Sequence, residues 1–476
     1  MDGTVVQLKD TLIANFIPKR FFDYTEKETY YKTVNIYKFS KEFLRKTYIP
    51  FMEAYLQAMG NNEYYEEVLR VISTLDKNEL TAFILNNHKW YEIDDVQDKN
   101  IAEIIFSGMP EKLARIQKCY GGYWRFPRLI DFCYLVNPYF PSSKMLDEMK
   151  AYFKALISSY PSGLNTENML AGKLYTIDED HIITGNGAAE IIRALELEGS
   201  VGVIYPTFNE YPESLSKNNI IPFVPENFAY TKDDLLNFAD SCDTMLLINP
   251  DNPSGNYIPK SGIIEALEKI KKLNEVHEHD SGYVYKRLIL DESFIDFSDS
   301  EKEPSLLKQE ILDAYPFLIL IKSLSKSYGI PGIRLGILAC GDKSVVQAMR
   351  KKFSIWNINS FAEYFLQIIG KYQKDYEYSC KAIALERSRF EEKLKQTGLL
   401  CVYPSQANYV LCKIKHTSAK ELAEYLLDKN IFIKDLSGKK GIPDGSYIRL
   451  AVRNKTDNDA LIETVSAYGS CHNAQP

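Results

Sequence analysis

The sequence has few histidines, and its cysteines stand singly. None of its eight cysteines (Cys119, Cys133, Cys242, Cys340, Cys380, Cys401, Cys412 and Cys471) belongs to a CxxC pair, and its six histidines do not fall at ligand spacing beside them. That pattern argues against a zinc site and against a disulfide framework, and free thiols fit a reducing cytoplasm. There is no basic excess either. A formal net charge of −7 argues against a general nucleic-acid binder. No apolar run reaches membrane-spanning length, and MDGTVVQLKD lacks the charged-then-apolar pattern of a signal peptide. No internal repeat or low-complexity tract is present, and the polar tail HNAQP is expected to be loose.

What is present is an ordinary globular composition, 45% hydrophobic and 25% charged over 476 residues, enough for roughly three average domains. A first block, about 1–115, is rich in Tyr, Lys and Glu. Its stretch SKEFLRKTYIPFMEAYLQAMG has helical spacing of apolar residues. A second block alternates short apolar runs with helical segments: VGVIY (201–205), TMLLIN (244–249), RLILDE (287–292) and FLILIKS (317–323). This predicts a buried, mostly parallel sheet in an α/β domain. A third block begins with a helical stretch over roughly 357–395. Two strand-like pieces follow, ANYVLCKI and SYIRLAV, with an amphipathic helix near 418–428 between them, which predicts a smaller α+β domain.

Each apolar run of the second block delivers polar residues at its C-terminal end. TMLLIN runs into NPDNPSG, with Asn249 and Asn252; RLILDE ends at Asp291 and Glu292; FLILIKS stops just before Ser325 and Lys326. Ligands of open α/β sheets bind outside the carboxyl ends of the strands, so an amide, a carboxylate and an amine are offered to one crevice. In HIITGNGAAEIIRAL an apolar lead, a glycine turn and a helix follow in order, and the backbone at Gly187, Ala188 and Ala189 makes a ready anion site. Ser323, Ser325 and Arg334 can face the same anion, arginine being suited to forked contacts with phosphate. Taken singly, each feature has a bland reading: a turn, a helix cap, a solvated lysine. Their coincidence at the strand ends of one sheet raises the functional one. GIPGIRLG lacks the GK[ST] ending of a nucleotide P-loop.

SLSKSYGIPGIRLG, with NPDNPSG and LDESF ahead of it in the same order, resembles fold-type-I enzymes that use pyridoxal 5′-phosphate. The chain is similar to the aminotransferase class I/II group, near histidinol-phosphate aminotransferases and threonine-phosphate decarboxylases, over about 120–470. The resemblance implies an α/β fold with an N-terminal arm at 116–165, a large cofactor-binding domain at 166–355 and a small α+β domain at 356–470. It implies Lys326 as the Schiff-base lysine, Asp291 as partner of the pyridine nitrogen and Asn252 as the amide on the ring's phenolic oxygen. Ser323, Ser325 and Arg334, with the backbone around Gly187, Ala188 and Ala189, are implied as phosphate ligands, and Phe208 as the aromatic stacked on the ring. Arg449 is implied as the clamp on a substrate carboxylate, and Tyr160 as a tyrosine reaching the neighbouring subunit's phosphate, hence a homodimer. Many relatives carry a tyrosine three residues after the aspartate, where this chain has Phe294, and DESFIDF looks more like the branch that decarboxylates phosphorylated amino acids. Arg453, four residues after Arg449, is either a second anion receptor on the same face or a solvated arginine at a strand end.

MDGTVVQL, YKTVNIYKFS and KWYEIDDVQDKNIAEIIF in residues 1–115 resemble the second half of a sugar-phosphate or choline-phosphate type nucleotidyltransferase domain, without that family's glycine-rich loop. The expectation is a truncated or remnant domain. Asp94 and Asp95 match the segment where that family holds magnesium, and a helix-entry acidic turn is the favoured alternative. The leading functional expectation is a pyridoxal-phosphate aminotransferase. It would take a small amino donor and a carbonyl acceptor, one of them bearing a phosphate or phosphonate, and would have no nucleic-acid or membrane partner. A decarboxylase of a phosphorylated amino acid is the alternative, and a non-catalytic or nucleotide-transferring protein dominated by the first block is the third reading.

Overall fold

The computed structural model describes residues 4–75, 79–86 and 88–472. The opening MDG and the HNAQP tail beyond His472 lie outside the described residues. The chain divides into two compact units, residues 1–120 and 121–476. Among the described residues, no helix is long and apolar enough to cross a membrane.

In the first unit, β1 (Val5–Lys9) pairs antiparallel with β2 (Leu12–Ile17) on one side and β3 (Tyr31–Lys32) on the other. Val6, Ile13 and Phe16 of this small sheet pack on Val68, Leu69 and Ile72, spaced along the helix Glu66–Ser73 so that they share its inner face. The expected helix over SKEFLRKTYIPFMEAYLQAMG forms, capped by Ser40 at Lys41–Phe43, passing through a π turn at Leu44–Tyr48 and continuing as Ile49–Met59 until Gly60, at φ +83°, ends it.

The second unit opens with β4 (Ile130–Asp131) and then builds a seven-stranded sheet from β5 (Ile182–Gly185), β6 (Ser200–Ile204), β7 (Asn219–Phe223), β8 (Thr244–Ile248), β9 (Arg287–Asp291), β10 (Leu318–Ser323) and β11 (Gly336–Cys340), in the order β5-β11-β10-β9-β8-β6-β7. Every strand but β11 runs in one direction; β11 lies antiparallel to both β10 and β5. TMLLI of β8 and LILIKS of β10 are buried at every position. That is why they read as continuous apolar runs: both faces of the sheet are covered by helices, so no position can be given to water. Lys322, the one charge inside β10, is buried against Asp296 at 2.7 Å, and Asp296 also accepts from the Tyr376 hydroxyl.

Beyond the long helix Gln373–Gln396 come β12 (Leu400–Val402), β13 (Tyr409–Ile414), β14 (Ile431–Phe432), β15 (Lys434–Asp435) and β16 (Tyr447–Ala451). β12, β13, β16 and β15 form an antiparallel sheet in that order, while β14 pairs with β4. The segment ahead of the large sheet is thereby tied to the small one. The helix Ala419–Asp428 carries a capping box between Ser418 and Glu421, the sequence signal that places its start.

Candidate active site

β5, β6, β8, β9 and β10 all end at one edge of the large sheet, and their polar residues meet there. β10 runs into a single helical turn, Leu324–Ser327, which holds Lys326. The Lys326 amine makes no hydrogen bond or ion pair among the described residues. Instead its Nζ lies 4.6 Å from the ring centroid of Phe294 and 5.1 Å from that of Phe208. Burial pushes its pKa down to about 8, with Arg449 and Arg334 adding to the fall and Asp291 opposing it. An amine in this state is partly neutral near physiological pH, which is what a nucleophile requires.

Asp291, buried at the end of β9, accepts from the Tyr211 hydroxyl through Oδ2 at 2.8 Å and from the Ser293 N–H through Oδ1 at 2.9 Å. Each carboxylate oxygen keeps a further lone pair. The carboxylate therefore stands ready to hold a cationic N–H group, with its two known donors fixing its plane. Tyr211 was not singled out in the sequence; the signal available was its place in YPTFNEY, three residues past Phe208.

Asn252 and Arg449 form one network. Arg449 Nη1 donates to Asn252 Oδ1 at 2.7 Å and Nη2 to the Cys133 carbonyl at 2.9 Å, while its Nε is buried without a partner. The guanidinium sits over the Tyr409 ring at 5.5 Å, and Tyr409 meets Phe294 edge-on at 5.0 Å. Asn249, also at a strand end, turns away: its side chain clasps the Ile258 peptide through both its amide and its carbonyl.

Gly187, at φ +82°, is the entry to the helix Ala188–Ala194, and its own N–H is spent on the Gly185 carbonyl at 2.7 Å. The N–H groups of Ala188 and Ala189 start the helix and have no intrahelical acceptor. Arg334, itself held at φ +63°, brings its guanidinium so near that a Cβ on Gly187 would lie 2.5 Å from Nη2. Among the described residues Arg334 has no acidic partner, and neither does the Ser323 hydroxyl have a hydrogen-bond partner. Gly187→Ala is expected to displace Arg334 and to strain the turn, because φ +82° with ψ 159° is a conformation essentially reserved for glycine and costs another residue about 1–3 kcal/mol. The apparent Kd for pyridoxal phosphate, read by absorbance titration of the apoenzyme, should rise roughly tenfold. An unchanged Kd would remove Arg334 and this turn from the anion site.

Four sequence expectations fare differently. Ser325 is committed elsewhere: its hydroxyl donates to the Leu335 carbonyl at 3.1 Å and accepts from the Leu335 N–H at 2.9 Å, stitching the turn shut. Arg453 lies past the end of β16, so it does not share the strand face of Arg449. Its Nε donates to Asp457 at 2.8 Å and its Nη1 to the Asp131 carbonyl at 2.9 Å, so the charge is answered within the fold. Tyr160 is 78% exposed and stacks on Trp356 with centroids 4.5 Å apart. Asp95 caps the helix Val96–Phe106 by accepting from the Asp98 N–H at 2.8 Å, and the Asp94 N–H donates to Asp98 Oδ2. Among the described residues, no group of three or more His, Cys, Asp or Glu side chains is placed to hold a metal ion.

The sequence profile of the family described as aminotransferase class I and II matches residues 162–465. An L-serine phosphate decarboxylase of Sulfurospirillum multivorans is 33% identical over 365 residues, covering 71% of this chain and 88% of that protein. A CMP-5′-(3-aminopropyl)phosphonate synthase of Streptomyces rubellomurinus is 28% identical over 442 residues, covering 91% of this chain and 68% of that protein. Among solved structures, a histidinol-phosphate aminotransferase from Clostridium acetobutylicum superposes with a TM-score of 0.63 at 28% identity, over 72% of this chain and all of that one. Enzymes of this family use pyridoxal 5′-phosphate. The residues fit that group. An unpartnered guanidinium and a glycine turn suit its phosphate, a twice-anchored carboxylate suits its ring nitrogen, and an unpaired amine between two phenyl rings suits its aldehyde.

Proposed function

We propose, starting from the fact that this chain belongs to the aminotransferase class I and II family, that it removes the carboxyl group of a small amino acid bearing a phosphate or phosphonate. Bound pyridoxal phosphate supplies the electron sink for the pair left behind when a bond at the substrate's α-carbon breaks. The chain's own residues do the rest. Lys326 anchors the cofactor and, once released from it, carries a proton to or from the α-carbon. Asp291, fixed by Tyr211 and Ser293, keeps the ring nitrogen protonated. Arg449 holds the substrate carboxylate and Asn252 holds the ring's phenolic oxygen, aligning the reacting bond. Arg334, Ser323 and the turn at Gly187 to Ala189 hold the cofactor phosphate, and Phe208 lies against the ring.

The observation that carries the choice of reaction is Phe294. It is buried, packed edge-on against Tyr409 and 4.6 Å from the Lys326 amine, at the position where the sequence resemblance implies a tyrosine in many relatives. Two phenyl rings, those of Phe294 and Phe208, therefore lie against the amine, and at Phe294 no hydroxyl is offered to it. The names of the relatives support the same choice: one acts on serine phosphate as a decarboxylase, and an aminopropylphosphonate is what an amino acid bearing a phosphonate becomes when its carboxyl group is lost. The synthase match spans a larger share of this chain than the second unit alone. That supports reading the first unit as a nucleotidyltransferase-like part that handles the same phosphonate or phosphate compound. Tyr160, exposed beside Trp356, supports a homodimer in which it reaches the other subunit's site.

Amino-group transfer is the competing reading, favoured by the match to the histidinol-phosphate aminotransferase. Product analysis separates the two. With O-phospho-L-serine, the holoenzyme should release carbon dioxide and phosphoethanolamine in equal amounts, the cofactor staying in its aldehyde form. A keto acid together with aminated cofactor would overturn decarboxylation in favour of transfer.

A further inference from the structure

The functional reading calls for a receptor for the substrate's own phosphate or phosphonate, apart from the cofactor's. Arg453 is answered by Asp457 and does not supply it. A different group does. Between β15 and β16 the chain makes a turn in which the Lys439 N–H donates to the Leu436 carbonyl at 3.1 Å and the Ile442 N–H to the Lys439 carbonyl at 3.0 Å. This turn lies on the segment that carries Phe208. Gly441, at φ +87°, packs so close that a Cβ there would be 2.7 Å from the Pro206 nitrogen, and the Lys440 Nζ lies 4.2 Å from the ring centroid of Tyr205.

Lys439 is half-buried beneath this turn. Its Nζ donates to the side-chain oxygen of Asn209, the residue after Phe208. An ammonium has three donors, and the other two have no partner among the described residues. The charged groups around it are mostly of its own sign. Arg449 and Lys434 both lie within its electrostatic reach, and Lys434 stands directly opposite Arg449 in the β15–β16 pairing. Two carboxyls face the group, Asp251 and Glu213. Asp251 is buried, its hydroxyl partner is Ser254 at 2.5 Å, and burial pushes its pKa up to about 7, so it offers only part of a charge at neutral pH. Glu213 is exposed to solvent. Arg449, Lys434 and Lys439 form no salt bridge with any described carboxylate, and the Arg449 Nε is buried with nothing to donate to. Arg449 and Lys439 are partly buried and Lys434 is exposed beside them, and like charges held partly out of water are relieved by an anion between them. A substrate with two anionic ends would supply exactly that pairing: a carboxylate for Arg449 and a second anion for the neighbouring lysine.

We propose that Lys439 is the receptor for the second anionic group of the substrate, a phosphate or phosphonate. The 436–442 turn holds its ammonium on Asn209, beside the carboxylate clamp Arg449. This assignment rests on the functional reading above and gives it a specificity-determining residue that neither the motifs nor the family match points out. The turn reaches across from the small sheet to the large one, so the length of the substrate between its two anions is set by how the two sheets dock.

The test compares kcat/KM for O-phospho-L-serine and for L-serine, which lacks only the phosphate, on holoenzyme. Lys439→Met should lower the ratio of the two roughly 10–100-fold, the loss falling on KM for the phosphorylated compound, as expected for removing a charge-assisted hydrogen bond. Lys439→Arg should restore most of the ratio, because it keeps the charge. Lys440→Met, one residue on and directed at Tyr205, should leave the ratio at its wild-type value. Gly441→Ala keeps the lysine but lifts the turn off Pro206, and it should lower the ratio as Lys439→Met does. It carries the test if Lys439→Met loses its bound-cofactor absorbance. A wild-type preference for the phosphorylated compound that persists in both variants would overturn the assignment of Lys439 alone. A wild-type enzyme that does not prefer the phosphorylated compound would overturn the functional reading and the assignment together.

Discussion

Lys326→Ala is expected to lower turnover by at least about 10⁴-fold, because under the proposed function it removes both the covalent anchor of the cofactor and the group that moves a proton at the α-carbon. The residual cofactor would be held by Arg334 and its neighbours alone and would exchange freely. Borohydride reduction of wild-type holoenzyme, followed by peptide mass mapping, should leave a pyridoxyl group on Lys326 and none on the variant. Lys322 is the informative rival. It lies four residues upstream and is also buried, but its amine is paired with Asp296 at 2.7 Å, whereas that of Lys326 is unpaired. A label on Lys322 would overturn the site as described. The same amine predicts a pH dependence. Burial lowers its folded-state pKa to about 8 from the ordinary lysine value, so the neutral, reactive form grows as pH rises through about 8 and then levels. Cofactor uptake by the apoenzyme should therefore accelerate up to that pH and plateau above it.

Asp291→Asn is expected to cost roughly 10²–10³-fold in kcat, the size seen when a fixed charge aimed at a developing charge is removed. Asparagine fills the same volume and can still meet Tyr211 and Ser293, so the fold and the cofactor content should survive. What is lost is the charge that, under the proposed function, keeps the ring nitrogen protonated. A second readout is independent of turnover. Asp291 is the group that holds the Lys326 pKa up, so its neutralisation should move the pH profile of cofactor uptake to lower pH. Wild-type kcat in Asp291→Asn would remove the carboxylate from the mechanism.

Much of this was legible in one dimension. The large sheet was readable because its strands are apolar at every position, and only a strand covered on both faces permits that. β11 escaped notice because GILAC follows directly on the glycine turn that carries Arg334, and nothing local shows that its direction is reversed. Lys326, Asp291 and Asn252 came forward as candidates because each sits at, or within a few residues of, the C-terminal end of an apolar run, and position at a strand end is a local property. Ser325 was expected to face the anion, whereas its hydroxyl turns back to Leu335. A hydroxyl beside a lysine says nothing about which way it points. Arg453 was open between a second anion receptor, if β16 continued, and an arginine at a strand end; the strand stops at Ala451 and Asp457 on the following helix takes the charge.

The apolar strands, the carboxylate, amide and amine at their ends and the glycine turn suited to an anion were all determined by the sequence, because each depends on neighbours a few residues away, whereas the order of the strands in the sheet is a long-range property. Which cations stay unpaired was decided only by the tertiary structure. Arg449 reaches Cys133, 316 positions earlier, and Lys439 reaches Asn209, 230 positions earlier. Hydrogen bonds across such spans exist only once the small sheet has met both the segment ahead of the large sheet and the edge of the large sheet, so the charge left over for a substrate is a property of that docking and not of any local stretch of chain.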